Sequence, residues 1–522
     1  MSPSHCATSS HERSAMIDGR LLTFGMAAAL CVALPVRAQE ATDTSPVEQT
    51  TQPITRLEQA LALAYEANPN LLAQRGVLRS TDALYPGARA AYGPQVSLEG
   101  RHQFAWDRTQ LQTGNYAAID GFASTAALIF TQPLFSFGRR FASEQSALAQ
   151  IDLGRNQLRL TEAQTMFTVI RDYVFLVRDR AVADISAENL DLLDRQLSAS
   201  AARFKVREVT STDLQQVETR VAVGRAQLLN AQGSVGSSQS RFLQSVGALP
   251  GTLAPPPPLD PGVATLDEAY AIAETESALI QAASAREKVS RAELAAARAE
   301  QYPNVSLQSS GAYGTVTPYS NNRRTTELRS AIVVGVPLID GGSRRARIEA
   351  AEQANDADWR LLDAALRDTR QAVAEAWNTW RASGQSVEHF RAAAEAARKA
   401  YDGAVIQEKA GARTTLDVLD LARDLLNVRT SYVGALANEY LARAQLLAAM
   451  GRLEAPLLLP DVRRYDPEIN FRNQRWRGDV PLITTILSGI DSVPVRDLET
   501  DRAYRDAAAD LRSGSTVPID QP

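Results

Sequence analysis

The sequence predicts an α+β fold with an internal duplication, in which a unit of strands and long helices occurs twice. The clearest example is the segment 331–362, where a β-branched apolar run precedes Pro337 and an Asp-Gly-Gly-Ser turn. An Ala/Glu/Arg-rich stretch follows, with no glycine or proline until Gly384. Proline cannot donate to a sheet ladder, so pairing should end near Pro337, and the later stretch favours a helix. A strand therefore leads directly into an unusually long helix.

The same order of features occurs earlier in the chain. Four residues of the first copy recur 204 residues later (337 − 133), namely Pro133, Leu134, Gly138 and Arg140, which match Pro337, Leu338, Gly342 and Arg344. Residues 94–98 match 303–307 at an offset of 209, so five residues are lost between the two strands, where a loop tolerates the change. Each copy is predicted as helix, strand, loop, strand, very long helix, turn and helix, opened by Thr55 or Thr265 as N-cap.

The repeat divides the chain into six regions. They are an upstream extension and signal peptide (1–38), an N-terminal linker (39–54), the first repeat (55–252), a proline-rich linker (253–263), the second repeat (264–453) and a C-terminal equatorial segment with a flexible, polar tail (454–522). The four consecutive prolines of the linker predict a stiff spacer. A proline-rich ligand is the alternative interpretation of that stretch.

The N-terminus has the features of an export signal. Arg20 precedes an apolar run too short to span a bilayer, and Val36-Arg37-Ala38 is an acceptable cleavage site. A short membrane anchor is the alternative. Cleavage would remove both cysteines, Cys6 and Cys31, and leave only two histidines. We therefore expect no thiol nucleophile, no Cys/His metal site and no cofactor. The formal net charge of −5 does not favour a nucleic-acid partner.

The predicted strands have one apolar and one polar face. In the first strand, Val96, Leu98 and Phe104 share one parity, and Glu99 and Arg101 share the other. Strands of about ten residues with this alternation fit a transmembrane barrel, and a soluble antiparallel sheet is the other interpretation. Four strands cannot close a barrel around water, and open edges are not allowed in lipid. If the strands enter a membrane, several protomers must share the barrel.

The two long helices, about 139–203 and 344–408, would each be near 100 Å. The helices that return from them have apolar residues every seven positions, as at Val418 and Leu425, which predicts coiled-coil packing. An ordinary bundle helix is the alternative. Between the outgoing and returning helices lie two hairpins. Gly411 provides the stop in the second hairpin, where Thr414 or Thr415 can cap the next helix.

Together these segments resemble the TolC family of outer-membrane efflux and secretion channels. The resemblance covers about Thr55 to Leu453, and its most specific parts are the duplication and the motifs QPLFSFGRR, VPLIDGGSRRARI and GARTTLDVLD. It implies a homotrimer with a twelve-stranded outer-membrane β-barrel, four strands per protomer, that continues into a periplasmic α-helical barrel with coiled-coil tips. It further implies outer-membrane lipid, a periplasmic adaptor protein and an inner-membrane transporter as partners, in drug efflux or type I secretion.

The resemblance also assigns roles to individual residues. Arg413 matches an arginine that holds the tip closed, with Asp213 as its acidic partner, and Asp417 and Asp420 match aspartates that line the narrowest point. Acidic rings select cations, and the alternative interpretation is that the aspartates are solvated charges of a capped helix. Two departures are Glu408, in place of a tyrosine that helps to close the tip, and Arg207, in place of a hairpin glycine, so we expect a rearranged network and a different first turn. The strand-to-helix junctions contain Pro133, Gly138, Pro337, Gly341 and Gly342.

The leading functional hypothesis is a passive export channel without enzymatic activity. The sequence has no catalytic constellation, and Gly341–Ser343 lacks the lysine of a phosphate-binding loop. An exported coiled-coil scaffold or adhesin is the second hypothesis, and it would need no amphipathic strand pairs. An exported hydrolase using Asp417 and Asp420 is the third, but carboxylates on one supercoiled helix do not flank a pocket.

Overall fold

The computed structural model describes residues 53–110, 113–315, 323–454, 458, 462–477 and 479–493. The predicted signal sequence, its cleavage site and the C-terminal tail lie outside these residues. The first repeat contains α1 (Leu57–Ala67), α2 (Pro69–Thr81), α3 (Leu84–Ala90), β1 (Gln95–Gln110), β2 (Tyr116–Phe135), α4 (Arg139–Lys205) and α5 (Ser211–Val246). The second contains α6 (Leu266–Glu276), α7 (Ala278–Ala299), β3 (Asn304–Thr315), β4 (Arg324–Gly335), α8 (Ser343–Lys409) and α9 (Thr415–Ala449). Two further helices follow, α10 (Glu468–Gln474) and α11 (Pro481–Asp491).

The four strands form one antiparallel sheet in the order β1-β2-β3-β4. Its register places Val96 opposite Phe130 and Leu98 opposite Leu128, so the apolar side chains of neighbouring strands share one face. None of the residues that the structure describes covers that face, and Leu328 on β4 is 82 % exposed. Among the described residues, β1 pairs only with β2 and β4 only with β3, which leaves two open edges. The predicted alternation is confirmed, although β1 and β2 are longer than expected, at 16 and 20 residues.

Pro133 does not end its strand, contrary to the sequence expectation. The ladder between β1 and β2 does end nearby, at Thr131, but β2 continues to pair with β3 through Pro133 and Phe135. The register shifts at this point, and the Pro133 carbonyl accepts a hydrogen bond from the Gln132 side chain (2.8 Å). Proline removes a single donor, so a strand can pass through it where the ladder is already irregular. In the second repeat β4 ends at Gly335, as the position of Pro337 predicts.

The two long helices agree with the predicted limits. α4 and α8 each contain 67 residues and begin after a glycine in the left-handed region, Gly138 (φ 86°) and Gly342 (φ 89°). Side chains with a Cβ atom rarely adopt this conformation, so both junctions favour glycine. The short first helices begin differently from each other. Thr265 caps α6 through a capping box with Glu268, whereas α1 begins after Arg56, one residue later than the predicted cap Thr55.

The main core lies where the short helices α1, α2 and α6 pack against the middle of the long helices and the ends of α5 and α9. Tyr173 on α4 and Phe242 on α5 are fully buried there, and the Tyr173 hydroxyl donates to the Ala254 carbonyl (2.7 Å). A smaller cluster of Leu193, Val217, Val221 and Leu419 lies closer to the hairpins. No helix of the described part of the chain is long and apolar enough to cross a bilayer.

The two repeats are packed unequally. α9 packs against both α8 and α4, whereas its counterpart α5 packs mainly against α4. Similarly, α7 packs against both long helices, whereas α2 and α3 pack against α4 and not against α8. Exposed apolar side chains, including Leu229 on α5, lie on these less covered helices. The first repeat therefore lacks a neighbour that the second repeat has.

Candidate functional site

The two helical hairpins have the same backbone turn. Arg207 (φ 64°) adopts the left-handed conformation that Gly411 (φ 74°) adopts in the second repeat. In both turns the N–H of the left-handed residue, Arg207 or Gly411, donates to the carbonyl of the residue three positions earlier. The N–H of the following residue donates to the carbonyl five positions before it, and all four N···O distances are 2.9 to 3.0 Å. The expectation that Arg207 would alter the first turn is therefore wrong. The cost is local strain of about 1 kcal/mol, because a Cβ atom crowds the carbonyl in this region.

A capping box opens each returning helix. The Asp417 carboxylate accepts hydrogen bonds from the Thr414 hydroxyl (2.8 Å) and the Thr414 N–H (3.1 Å), and Asp213 accepts the same bonds from Thr210 (2.8 and 3.0 Å). These bonds from threonine favour the ionised form and lower the pKa of Asp417 and of Asp213. Of the two predicted caps, Thr414 and Thr415, the structure uses Thr414. The sequence also contains the recognised signal for both boxes, a Thr three residues before an acid, which was not among the predictions for Asp417 and Asp213.

Asp420 lies one turn after Asp417 and forms an ion pair with Arg220. The Arg220 Nη2 atom is 2.9 Å from Asp420 Oδ1, so this pair connects α5 of the first repeat to α9 of the second. Both side chains are partly exposed, which limits the value of the pair to roughly 0–1 kcal/mol. Local sequence spacing does not identify Arg220 as the partner of Asp420, because the contact joins residues 200 positions apart.

Glu408 is the most connected acid of the hairpin region. Its side chain is buried and accepts hydrogen bonds from Gln196 (2.8 Å), Arg203 (3.1 Å) and Thr415 (2.9 Å). One carboxylate therefore joins α4, α8 and α9 near the turn. Gln196 and Arg203 lie 212 and 205 positions from Glu408, so local sequence spacing could not identify them as its partners.

Arg413 and Asp213 are not brought together within one chain. In the described part of the structure, Arg413 is exposed and forms no ion pair, although its charge contributes to the lowered pKa of Asp417. The Asp213 carboxylate is occupied by its own capping box. No ion pair joins Arg413 to Asp213 among the residues that the structure describes.

In each strand-to-helix junction a carboxylate accepts a hydrogen bond from the N–H of the glycine before the long helix, but the carboxylate comes from a different part of the chain in each repeat. In the second repeat, Asp340 accepts hydrogen bonds from the N–H groups of Gly342 (3.1 Å) and Arg344 (2.8 Å), and the bond from Arg344 lowers the pKa of Asp340. The equivalent residue of the first repeat is Ser136, which carries no acid. There, Asp491 at the end of α11 accepts from the N–H groups of Ser136 (2.8 Å) and Gly138 (3.2 Å).

These groups provide charge, helix capping and connections between helices. Among the residues that the structure describes, no three or more His, Cys, Asp or Glu side chains are placed to share a metal ion. The carboxylates at the hairpins face threonine and arginine donors. Such an arrangement fits charged helix ends that hydrogen bonds and ion pairs connect to neighbouring helices.

Comparisons with known proteins agree with this architecture. The sequence profile described as "Outer membrane efflux protein" matches residues 60–248 and 269–452, which fall in the two predicted repeats. The outer membrane efflux protein BepC of Brucella suis is 28 % identical over 421 residues, covering 80 % of this chain and 91 % of BepC. The outer membrane protein TolC of Escherichia coli is 23 % identical over 367 residues, covering 65 % and 72 %.

Solved structures of low sequence identity share the fold. A membrane protein from Pseudomonas aeruginosa superposes with a TM-score of 0.68 at 18 % identity, covering 77 % of this chain and all of that one. CusC superposes with a TM-score of 0.66 at 17 % identity, covering 76 % and 92 %. These structures confirm the expected TolC-like fold. The family match and the named relatives confirm the expected outer-membrane location and absence of enzymatic activity, and they do not favour the scaffold alternative. The chain belongs to the outer membrane efflux protein family.

Proposed function

We propose that this efflux channel works as a homotrimer that passively exports small molecules or polypeptide. In this arrangement a periplasmic adaptor protein and an inner-membrane transporter deliver the cargo and supply the energy. Four strands from each chain would form one twelve-stranded barrel in the outer membrane. The long helices would continue the wall of the channel into the periplasm.

The unequal packing of the two repeats is the observation that supports a ring of identical chains. If α8 of a neighbouring copy packed against α5, α2 and α3, the first repeat would gain the contacts that α9 and α7 already have with α4. The open edges of β1 and β4 also require strands from neighbouring chains, because unpaired N–H and C=O groups are too costly in hydrocarbon. Both requirements are met by a closed ring of identical chains.

We further propose that Asp417 and Asp420 surround the narrow periplasmic end of the channel. The two side chains are three residues apart on α9 and so share one face. Threefold symmetry would bring six carboxylates around one lumen, where an acidic ring favours cations. The hydrogen bonds from Thr414 lower the pKa of Asp417, so its carboxylate stays ionised well below neutral pH.

In the same proposal the closed tip is held by contacts within and between chains. Glu408 fixes α8 to α4 and α9 within each chain, and the left-handed turns at Arg207 and Gly411 set the direction of the returning helices. Arg413, which has no ion pair in the described part of its own chain, would pair with Asp213 of a neighbour. Opening would separate the contacts between chains and leave those within a chain intact.

Single-channel recording in planar bilayers tests both assignments. We expect Arg413→Ala to raise conductance by loosening the tip, and unchanged conductance and open probability would reject the tip assignment. Replacing both aspartates by asparagine (Asp417→Asn with Asp420→Asn) keeps hydrogen-bond acceptors and should lower cation preference. The control Asp402→Ala removes an exposed acid near the end of α8. Equal reversal potentials for the double variant and the control in a salt gradient would reject the acidic ring.

A further inference from the structure

The helix α11 has an exposed apolar stripe without charge. Leu482, Ile486 and Ile490 are 77 %, 55 % and 50 % exposed, and their spacing of four residues places them on one face. Residues 481–490 include no charged side chain. The single acid of the helix, Asp491, is 1 % exposed and turned towards the junction of β2 and α4. The outward face of α11 is therefore apolar and uncharged, which is unusual for a surface in contact with water.

The location of α11 suggests what covers this stripe. Asp491 fixes its end to Ser136 and Gly138, directly after β2. The sheet register places Val334 level with Val305, and Val305 level with Phe135, one residue before Ser136. Val334 belongs to the exposed apolar face of the sheet. The apolar surface of the strands thus extends to the level at which α11 is attached.

The chain before α11 has an exposed aromatic and basic segment. Trp476 is half exposed, and the guanidinium groups of Arg89 and Arg475 lie over its ring at 5.3 and 5.1 Å. Arg475 and Arg477 are exposed and form no ion pair with any residue that the structure describes. Tryptophan is enriched at the headgroup level of membranes, and arginine is among the residues that anchor a protein at the membrane interface. A basic segment beside an uncharged apolar face is the pattern of helices that lie in the membrane interface.

We propose that Arg475, Trp476, Arg477, Leu482, Ile486 and Ile490, together called the α10–α11 surface, bind the periplasmic leaflet of the outer membrane. The two arginines would contact phospholipid phosphates, and the apolar stripe of α11 would lie among the first carbons of the acyl chains. The inference rests on the proposed function, because the strands must occupy the membrane for the junction to lie at its surface. A second copy of the chain covering the stripe is the competing arrangement.

Site-directed fluorescence quenching tests the proposal in the reconstituted full-length protein. A cysteine introduced at position 486 (Ile486→Cys) is labelled with the fluorophore NBD, in a background in which Cys6 and Cys31 are replaced by serine. The vesicles contain phosphatidylcholine and phosphatidylglycerol, with lipid that bears a nitroxide at carbon 5. Leu328→Cys on β4 is the control in lipid, and Asn473→Cys on the exposed side of α10 is the control in water.

We expect the label at Ile486 to be blue-shifted and quenched at least threefold more than the label at Asn473. A blue shift without quenching would place a protein surface over the stripe and overturn the proposal, and an emission like that of Asn473 would overturn it as well. If Leu328 itself is not quenched, the proposed function fails. If only Ile486 escapes quenching, this inference fails alone.

The lipid headgroup is tested by replacing both arginines with glutamine (Arg475→Gln with Arg477→Gln). Quenching of the Ile486 label should then lose its dependence on the fraction of phosphatidylglycerol, because the two charges that attract anionic lipid are removed. An equal dependence before and after the replacement would overturn the assignment of these arginines to phosphate. Trimer formation, checked for every variant, separates this loss from misfolding.

Discussion

Asp491 provides the sharpest test of how the C-terminal segment is attached. In Asp491→Ala, the N–H groups of Ser136 and Gly138 and the Ser136 hydroxyl lose their acceptor. The site is buried, and each orphaned buried donor costs roughly 1–3 kcal/mol. Allowing the hydroxyl to find another partner, we expect a local loss of about 3 kcal/mol. This corresponds to roughly a hundredfold more frequent opening of the contact.

Hydrogen–deuterium exchange of the purified protein measures this opening directly. In Asp491→Ala, peptides that contain Gly138 and peptides from α11 should both exchange faster. The matched control is Asp340→Ala, which removes the acid of the second junction and should affect only the peptide with Gly342. Unchanged exchange of α11 in Asp491→Ala would refute the role of Asp491 as its anchor.

The internal repeat also predicts a partial rescue. Ser136→Asp places an acid where the second repeat has Asp340, and the Ser136 hydroxyl already accepts from the Arg140 N–H (3.3 Å). In the background of Asp491→Ala, this change should restore slow exchange at Gly138 and leave α11 exchanging fast. Rescue of both peptides, or of neither, would contradict the equivalence of the two junctions.

Three further predictions concern the hairpins, and amide exchange of the tip peptides measures each of them. Arg207→Gly should stabilise the first turn by about 1 kcal/mol, because glycine relieves the left-handed backbone strain. Gly411→Ala should destabilise the second turn by a similar amount for the same reason. Effects of the same sign in both variants would contradict this reasoning. Glu408→Ala should lower the local stability of the hairpin by roughly 2 kcal/mol. This is below the usual range for breaking a buried ion pair, because Arg203 is partly exposed. Glu408→Gln should lower the local stability by less. The pKa values of Asp213 and Asp417 are lowered from 3.8, so their caps stabilise the tips above this pH and lose that effect as the pH falls through the lowered values. Faster opening between pH 7 and pH 5 would contradict the last prediction.

The long helices could be predicted from the sequence because their limits are local. A glycine in the left-handed region begins α4 and α8, and a turn ends each of them. The offset of 204 residues relates the glycines that precede the two long helices, although Pro133 and Pro337 behave differently. Arg207 was wrongly expected to alter its turn because its residue type disfavours a left-handed conformation, and its match to Gly411 was the signal that would have predicted the turn.

The contacts that connect distant segments could not be predicted in this way. Asp491 is 355 residues from Ser136, and Glu408 takes two of its three partners from α4. Nothing in local spacing identifies such partners, because they depend on how the helices pack. The passage of β2 through Pro133 was missed for a related reason, since the tolerance depends on the irregular ladder with β3.

The central claim is that three chains together complete what one chain leaves open at β1, β4 and α5. Native mass spectrometry of the detergent-released protein measures the number of chains directly. We expect one dominant species with three times the mass of the mature chain, and no stable monomer. A monomer that keeps its strands in detergent, or a species with any other number of chains, would contradict the claim.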